Sequence, residues 1–203
     1  MLQRASRQSM RQMTNPQAIS RYDSVAMSLH WLIALGVIGN FALGLYHGEL
    51  PDDDPMARTT IFFHMSLGLL VLVLSVVRVG WRLTHKIPAL PIDMPKFQKV
   101  LARTVEGLLY ILIIAIPVAG WMLVSATTNP HPIPFFGLFD WPHISALAPL
   151  AQQYGRPFHR AIGETHELLA WTAIVLAGLH FAAAIYHHRI RRDDVVKSML
   201  PFG

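Results

Sequence analysis

The sequence predicts an all-α fold, an integral membrane bundle of four helices with both termini in the cytoplasm. Of its 203 residues, 53% are hydrophobic and only 14% are charged, which is far more apolar than a soluble domain of this size. Four apolar segments also have roughly the 20 residues that cross a hydrocarbon core about 30 Å thick. These predicted spans lie at about 26–46, 60–80, 105–125 and 165–186.

The distribution of charge predicts the orientation. Arginines precede span 1, and both arginines and lysines separate spans 2 and 3 and follow span 4. The segment between spans 1 and 2 is acidic (HGELPDDDPMAR). The only arginines or lysines in the segment between spans 3 and 4 are Arg156 and Arg160. By the positive-inside rule, both termini are cytoplasmic. The net charge of +5 therefore follows the membrane and does not indicate a nucleic-acid partner.

The segments outside the spans complete the predicted organisation. Residues 1–20 lack the apolar stretch of a secretory signal and are interpreted as a mobile cytoplasmic tail, which leaves 21–203 as one four-span domain. Spans 1 and 2 should form an antiparallel hairpin, a helix should begin near Lys96, and Pro117 should kink span 3. The stretch 129–150 contains too many prolines for a span, and its aromatic residues favour a position at the outer membrane interface.

Four histidines lie within or at the rim of the apolar spans: His30, His64, His166 and His180. Lipid offers a polar side chain no partner, so each is a functional candidate, although any one alone could be a histidine bonded to a neighbouring helix. His166 and His180 are 14 residues apart, which places them within roughly 40° of one face and about 21 Å apart along span 4.

The direction of each span pairs these histidines by depth. His64 lies level with His166 near the outer side, and His30 lies level with His180 near the cytoplasmic side. Each level then holds two imidazoles on different helices, the arrangement that clamps a planar haem from both faces. Zinc and copper sites instead gather three or four ligands. The absence of cysteine excludes covalent c-type attachment, iron–sulfur ligation and thiolate chemistry.

Two further residues bear on the sites. Arg78 follows His64 by 14 residues, at the depth of His30 and His180, and is a candidate partner for haem propionates; a snorkelling interfacial arginine is the alternative. His159, seven residues before His166, competes with it as a ligand, but Gly155 and Pro157 predict that it lies outside the span. Small residues near the ligands, Gly68 and Gly178 among them, would let a porphyrin edge approach the helices.

The sequence resembles the bacterial di-haem cytochrome b561 family, which is related to the cytochrome b subunits of nickel hydrogenases. The resemblance covers residues 21–203. It implies His30, His64, His166 and His180 as axial ligands of two b-type haems, and a quinone as redox partner in a bacterial-type inner membrane. In some members it also implies oxidation of superoxide at the outer face. It is carried in order by RYDSVAMSLHW, FFHMSLGLLVLVLSVVRVGWRL, IPVAGWMLVSA, PFFGLFDWP, THELLA, GLHFAAAIYHH and RRDDVVKSMLP.

The resulting hypothesis is transmembrane electron transfer through two haems, in contact with membrane lipid and quinone and with an electron donor that the sequence does not identify. The outer side is more acidic than basic, which disfavours an anionic donor, although Arg156 and Arg160 could form a local funnel beside His166. A haem-bearing membrane anchor that passes electrons to a docked dehydrogenase or hydrogenase-like protein is the alternative. A metal or proton carrier that uses the same histidines is a third hypothesis.

Overall fold

The computed structural model describes residues 21–51 and 53–200. The predicted tail, residues 1–20, lies outside the described residues. Four helices account for most of the described chain, and all four are long and apolar enough to cross a membrane. They are α1 (Ser24–Glu49), α2 (Pro55–Thr84), α3 (Lys96–Ser125) and α4 (Leu147–Ile185). The all-α prediction of four spans is therefore confirmed, and α3 begins at the expected Lys96.

Local sequence explains where the first two helices begin. The Asp23 side chain accepts a hydrogen bond from the backbone N–H of Ala26, and the Asp54 side chain accepts one from Met56. Both aspartates thus act as N-caps, and Pro55 occupies the first turn of α2, where its missing N–H costs nothing. α1 and α2 pack as the expected hairpin, α3 and α4 form a second one, and α2 packs against α3.

Large apolar side chains cover the outside of the bundle, as lipid contact requires. Leu35, Val76, Ile111, Leu168 and Val175 are among those that the protein leaves exposed. Small residues allow close packing inside: a Cβ atom added to Gly36 would lie 2.8 Å from Cγ2 of Val71 across the α1–α2 contact. Since lipid tails are as apolar as these side chains, no hydrophobic force draws the helices together, and their contacts depend on close fit.

The connection between α3 and α4 differs from the sequence prediction. The expected irregular stretch contains an antiparallel hairpin of β1 (Ile133–Phe135) and β2 (Phe139–Trp141). Phe136 and Gly137 form its turn with positive φ values of 51° and 73°. Single-sequence patterns missed these strands because each has three residues and the first contains Pro134.

α4 also begins earlier than predicted, at Leu147 instead of near residue 165. Its backbone is non-helical at Gly155 (φ 59°, ψ −144°), and Pro157 follows. The chain therefore kinks at Gly155, where two helical stretches meet. His159 lies in the helical stretch after Gly155 that also carries His166 and His180, and the expectation that it lies outside the membrane span stays a prediction.

Both ends of the described chain meet at one end of the bundle, which we call the terminal end. The Tyr22 N–H donates to the Ser198 carbonyl at 3.1 Å, and Arg21 donates to the Leu200 carbonyl. The opposite end carries the β-hairpin and is called the hairpin end. At the terminal end α4 continues into a π-helical turn, Tyr186–Arg191.

An ionic cluster anchors that turn. Oδ2 of Asp193 lies 2.7 Å from Nδ1 of His187 and 3.1 Å from Nε of Arg191, which also reaches Asp93 in the α2–α3 connection at 2.9 Å. Burial acts to raise the pKa of Asp193, but hydrogen bonds from His187, the Val195 N–H and Arg191 outweigh it and lower the pKa. The cluster therefore holds the end of α4 against the loop between α2 and α3.

The β-hairpin is attached to α2 by one buried hydroxyl. Ser66 Oγ, which is 0% exposed, donates to the Pro134 carbonyl and accepts from the Phe136 N–H, both at 3.0 Å. We predict that Ser66→Ala destabilises the protein by about 1–2 kcal/mol, because both backbone groups lose their partner. Thermal unfolding in detergent, followed by circular dichroism, measures the effect.

Ser75 provides the matched control. It lies on the same helix and is also 0% exposed, but its hydroxyl has no hydrogen-bond partner among the residues that the structure describes. Ser75→Ala should therefore leave the unfolding midpoint unchanged or raise it. Equal losses in both variants would contradict the assignment of the Ser66 bonds as the anchor.

Candidate haem-binding site

The structure brings the four predicted histidines together as two pairs. The ring centroids of His64 and His166 lie 6.1 Å apart, and those of His30 and His180 lie 6.4 Å apart. The two rings of each pair come from different helices and are not stacked, with interplanar angles of 81° and 69°. The pairing by depth that the spacing predicted is thus the pairing that the helices produce.

The centroid separations match the distance expected when one iron atom is bound between two imidazoles. A metal–imidazole bond of about 2.0 Å on each side, plus about 1.1 Å from each ligating nitrogen to its ring centroid, amounts to roughly 6.2 Å. Both observed pairs lie close to this value. The residues present therefore fit an axially ligated haem at each level.

The histidines at the hairpin end are held by backbone carbonyls. Nδ1 of His64 lies 3.0 Å from the Asn40 carbonyl oxygen of α1, and Nδ1 of His166 lies 3.0 Å from the Ile116 carbonyl oxygen of α3. A carbonyl only accepts, so each Nδ1–H donates and each Nε2 is the unprotonated nitrogen. That tautomer is the one in which Nε2 can bind a metal.

Two glycines make room for these rings. A Cβ atom added to Gly44 would lie 3.0 Å from Cε1 of His64, and one added to Gly120 would lie 3.1 Å from Cε1 of His166. In both cases the glycine follows the accepting residue by four positions on the same helix. We call each combination of carbonyl and glycine an imidazole seat: Asn40 with Gly44, and Ile116 with Gly120.

Sequence reasoning missed these seats. It named Gly68 and Gly178, but a Cβ at Gly68 would face the Asn40 amide at 3.2 Å, and one at Gly178 would meet nothing within 4 Å. A usable signal was present, because Gly44 and Gly120 lie on the helices that neighbour the predicted histidines. Glycine is common in membrane helices, so that signal gains meaning only once the helix pairs are known.

The pair at the terminal end has different surroundings. Arg78 is only 8% exposed; its Nη1 donates to the Ala26 carbonyl at 2.6 Å, and its guanidinium lies 5.5 Å from the Tyr110 ring centroid. Ala26 is one helical turn before His30, and Arg78 is close enough to His30 to act on it electrostatically. Arg78 is therefore buried near His30, and its role towards haem propionates stays a prediction.

The remaining histidines lie towards the ends of the bundle. His159 is exposed, His85 stacks on Trp81 with ring centroids 3.8 Å apart, and Nε2–H of His143 donates to the His131 carbonyl at 2.9 Å. Over residues 21–51 and 53–200, no three His, Cys, Asp or Glu side chains form a group that could hold a metal ion. The arrangement is thus two separate imidazole pairs.

Comparison with known proteins identifies the family. The family described as prokaryotic cytochrome b561 matches residues 21–202. Cytochrome b561 homolog 2 of Escherichia coli (strain K12) is 35% identical over 181 residues, which cover 89% of this chain and 91% of that protein. The chain belongs to the prokaryotic cytochrome b561 family. It is therefore a multi-pass membrane protein that binds haem b and transfers electrons.

More distant relatives cover nearly the same residues. The Yersinia pestis protein named probable superoxide oxidase is 25% identical over 182 residues, 89% of this chain and 96% of that protein. Cytochrome b562 of Cereibacter sphaeroides is 25% identical over 187 residues, 88% of this chain and 94% of that protein. The resemblance that the sequence motifs indicated is thus confirmed over nearly the whole described chain.

The geometry separates His166 from its competitor His159. We predict that His166→Ala in this member of the cytochrome b561 family converts one low-spin haem to a high-spin form or removes it, because the imidazole opposite His64 is lost. His159→Ala should keep both haems low-spin, since the exposed His159 lies about 10 Å along the helix from His166. Absorption spectra of the purified variants measure this, and loss of a low-spin haem in His159→Ala alone would contradict it.

Proposed function

We propose that this protein carries electrons across a bacterial-type inner membrane through two b-type haems and exchanges them with membrane quinone. One haem is held by His64 and His166, and the other by His30 and His180. The observation that carries this proposal is the presence of two imidazole pairs, each with the separation that one axially ligated iron requires. Residues 21–203 then form one di-haem domain.

The positions of the pairs along the helices support transfer across the membrane. His166 and His180 are separated by 14 residues of α4, which correspond to about 21 Å of helix. His64 lies near the hairpin end of α2, and His30 lies near the terminal end of α1. The two sites therefore lie at two different levels along the axis of the bundle.

The ligands define what each site can do. When bound, each haem would supply one-electron redox chemistry, and the two histidines of a pair would be its protein ligands. The paired histidines would hold the group, and the seats at Asn40 and Ile116 keep Nε2 of the hairpin-end histidines unprotonated. Redox partners would then exchange electrons with each haem at its edge.

Arg78 is proposed to balance the negative charge of the haem propionates at the terminal end. Its guanidinium is buried beside His30 and donates one short hydrogen bond to Ala26, which leaves further donors for a carboxylate. Arg82 lies over the same Tyr110 ring, with its guanidinium 5.0 Å from the ring centroid. An anionic group at this end would therefore meet two cations.

The terminal end is proposed to face the cytoplasm. Lys86, Lys96 and Lys99 lie in or beside the α2–α3 connection, and Arg189 and Arg192 follow the apolar part of α4. The hairpin end carries Glu49, Asp53, Asp54 and Asp140. This distribution supports the positive-inside orientation that the sequence predicts.

The first test is haem content. The purified protein should hold about two haems b per chain, and acidified organic solvent should extract both because no cysteine can attach them covalently. His30→Ala and His64→Ala should each deplete a different spectral component. His85→Ala and His131→Ala are matched controls at the two ends and should keep both haems. One haem per chain, or the same component lost in both ligand variants, would contradict the two-level assignment.

Superoxide is a second candidate electron donor. One relative is named a probable superoxide oxidase, and Arg156, His159 and Arg160 line one surface depression at the hairpin end of this chain. Arg160 lies 2.6 Å from Glu164, however, and nearby carboxylates weaken the attraction of an anion. Arg156 is therefore the main cation in this depression that favours the approach of superoxide.

The electron donor can be identified from the reductants that reduce the haem bands. Quinol should reduce both haems in the isolated protein. If superoxide is also a donor, its rate should fall several-fold in Arg156→Gln and with rising ionic strength, while Lys99→Gln at the other end has no effect. Haems that accept electrons only when a second protein subunit is added would instead favour the membrane-anchor alternative.

A further inference from the structure

The two imidazole seats form a matched pair within the bundle. In each seat a histidine from one helix of an antiparallel pair donates Nδ1–H to a backbone carbonyl of the other helix, with an Nδ1–O distance of 3.0 Å in both cases. In each seat the glycine one turn further along that helix contacts the same ring. The seats therefore control both the protonation and the position of His64 and His166.

A histidine that donates Nδ1–H to an acceptor is a more basic metal ligand through Nε2. A more basic ligand stabilises the oxidised, more positively charged iron more than the reduced iron. Hydrogen bonding around the axial ligands is one of the levers by which a protein sets haem potential. Two such bonds at one haem thus favour its oxidised state.

The terminal-end pair lacks these bonds. Within the described part of the chain, neither the His30 ring nor the His180 ring makes a hydrogen bond. Buried Arg78 acts electrostatically on His30. Glu106 acts on His180, but this carboxylate is 2.9 Å from both Arg82 and Arg103. Among these side chains the cations outnumber the carboxylate, so they offset the negative charge of the haem propionates, which favours the reduced haem.

Given the two haems of the proposed function, we propose that the seats hold the His64/His166 haem at a more negative potential than the His30/His180 haem. Asn40 and Ile116, through their carbonyls, and Gly44 and Gly120, through the space they leave, are then positioning residues. A single electron shared between the two haems would then reside mainly at the terminal end. The direction of downhill transfer within the protein is from the hairpin end to the terminal end.

A redox titration of the purified protein tests the order of potentials. The component that His64→Ala removes identifies the hairpin-end haem, and we expect it to have the lower midpoint potential in the unaltered protein. If two haems are present and that component has the higher midpoint potential, the proposal is overturned while the proposed function stands. If only one haem is present, the proposed function fails first.

Glycine variants test the seats themselves. Gly44→Ala and Gly120→Ala place a methyl group about 3 Å from the imidazole, so the ring must shift and its hydrogen bond must weaken. The hairpin-end haem should stay low-spin, and its midpoint potential should become more positive. Gly48→Ala on α1 and Gly107→Ala on α3 are matched controls, because a Cβ at either meets nothing within 4 Å. Unchanged potentials in both test variants, or equal shifts of the two haems, would overturn the role of the seats.

Discussion

The structure depends on one constraint: an imidazole inside a lipid-facing bundle must find its partner within the protein or in a bound group. Each unsatisfied polar group in a hydrocarbon environment costs several kcal/mol, so four isolated histidines would be a serious liability. The helices meet the constraint by placing the histidines opposite one another in two pairs. At the hairpin end the helices also supply a backbone carbonyl to Nδ1 of each histidine. At the hairpin end, the bonds that satisfy Nδ1 of His64 and His166 also leave Nε2 of each ring available to bind a metal.

The two ends of the bundle use different physical means to support their pair. Near the hairpin end, close backbone approach at Gly44 and Gly120 positions the rings, and the β-hairpin is bound to Ser66, two residues after His64. Near the terminal end, charge takes this role, with Arg78 buried beside His30 and the Asp193 cluster holding the end of α4. The two pairs therefore differ in their surroundings: backbone carbonyls contact the rings at the hairpin end, and a buried arginine lies near the pair at the terminal end.

Much of this architecture could be predicted from the sequence because lipid imposes strong rules. Span length, hydropathy and the position of charge indicated four helices, and the 14-residue spacing of His166 and His180 indicated two levels. The β-hairpin and the early start of α4 could not be predicted in this way, since Pro134, Gly155 and Pro157 interrupt every simple periodicity. The imidazole seats also escaped, because they consist of a backbone carbonyl and a missing side chain. Neither leaves a distinctive residue pattern until the packing of neighbouring helices is known.

The central claim is that each of two irons is held between two imidazoles. Low-temperature electron paramagnetic resonance of the fully oxidised protein tests this most directly, because axial ligation determines the spin state of ferric haem. The account predicts two low-spin ferric signals of the bis-imidazole type, in equal amounts and with no high-spin component. A high-spin signal of comparable intensity in the intact protein would show an iron that lacks its second histidine, and it would contradict the account.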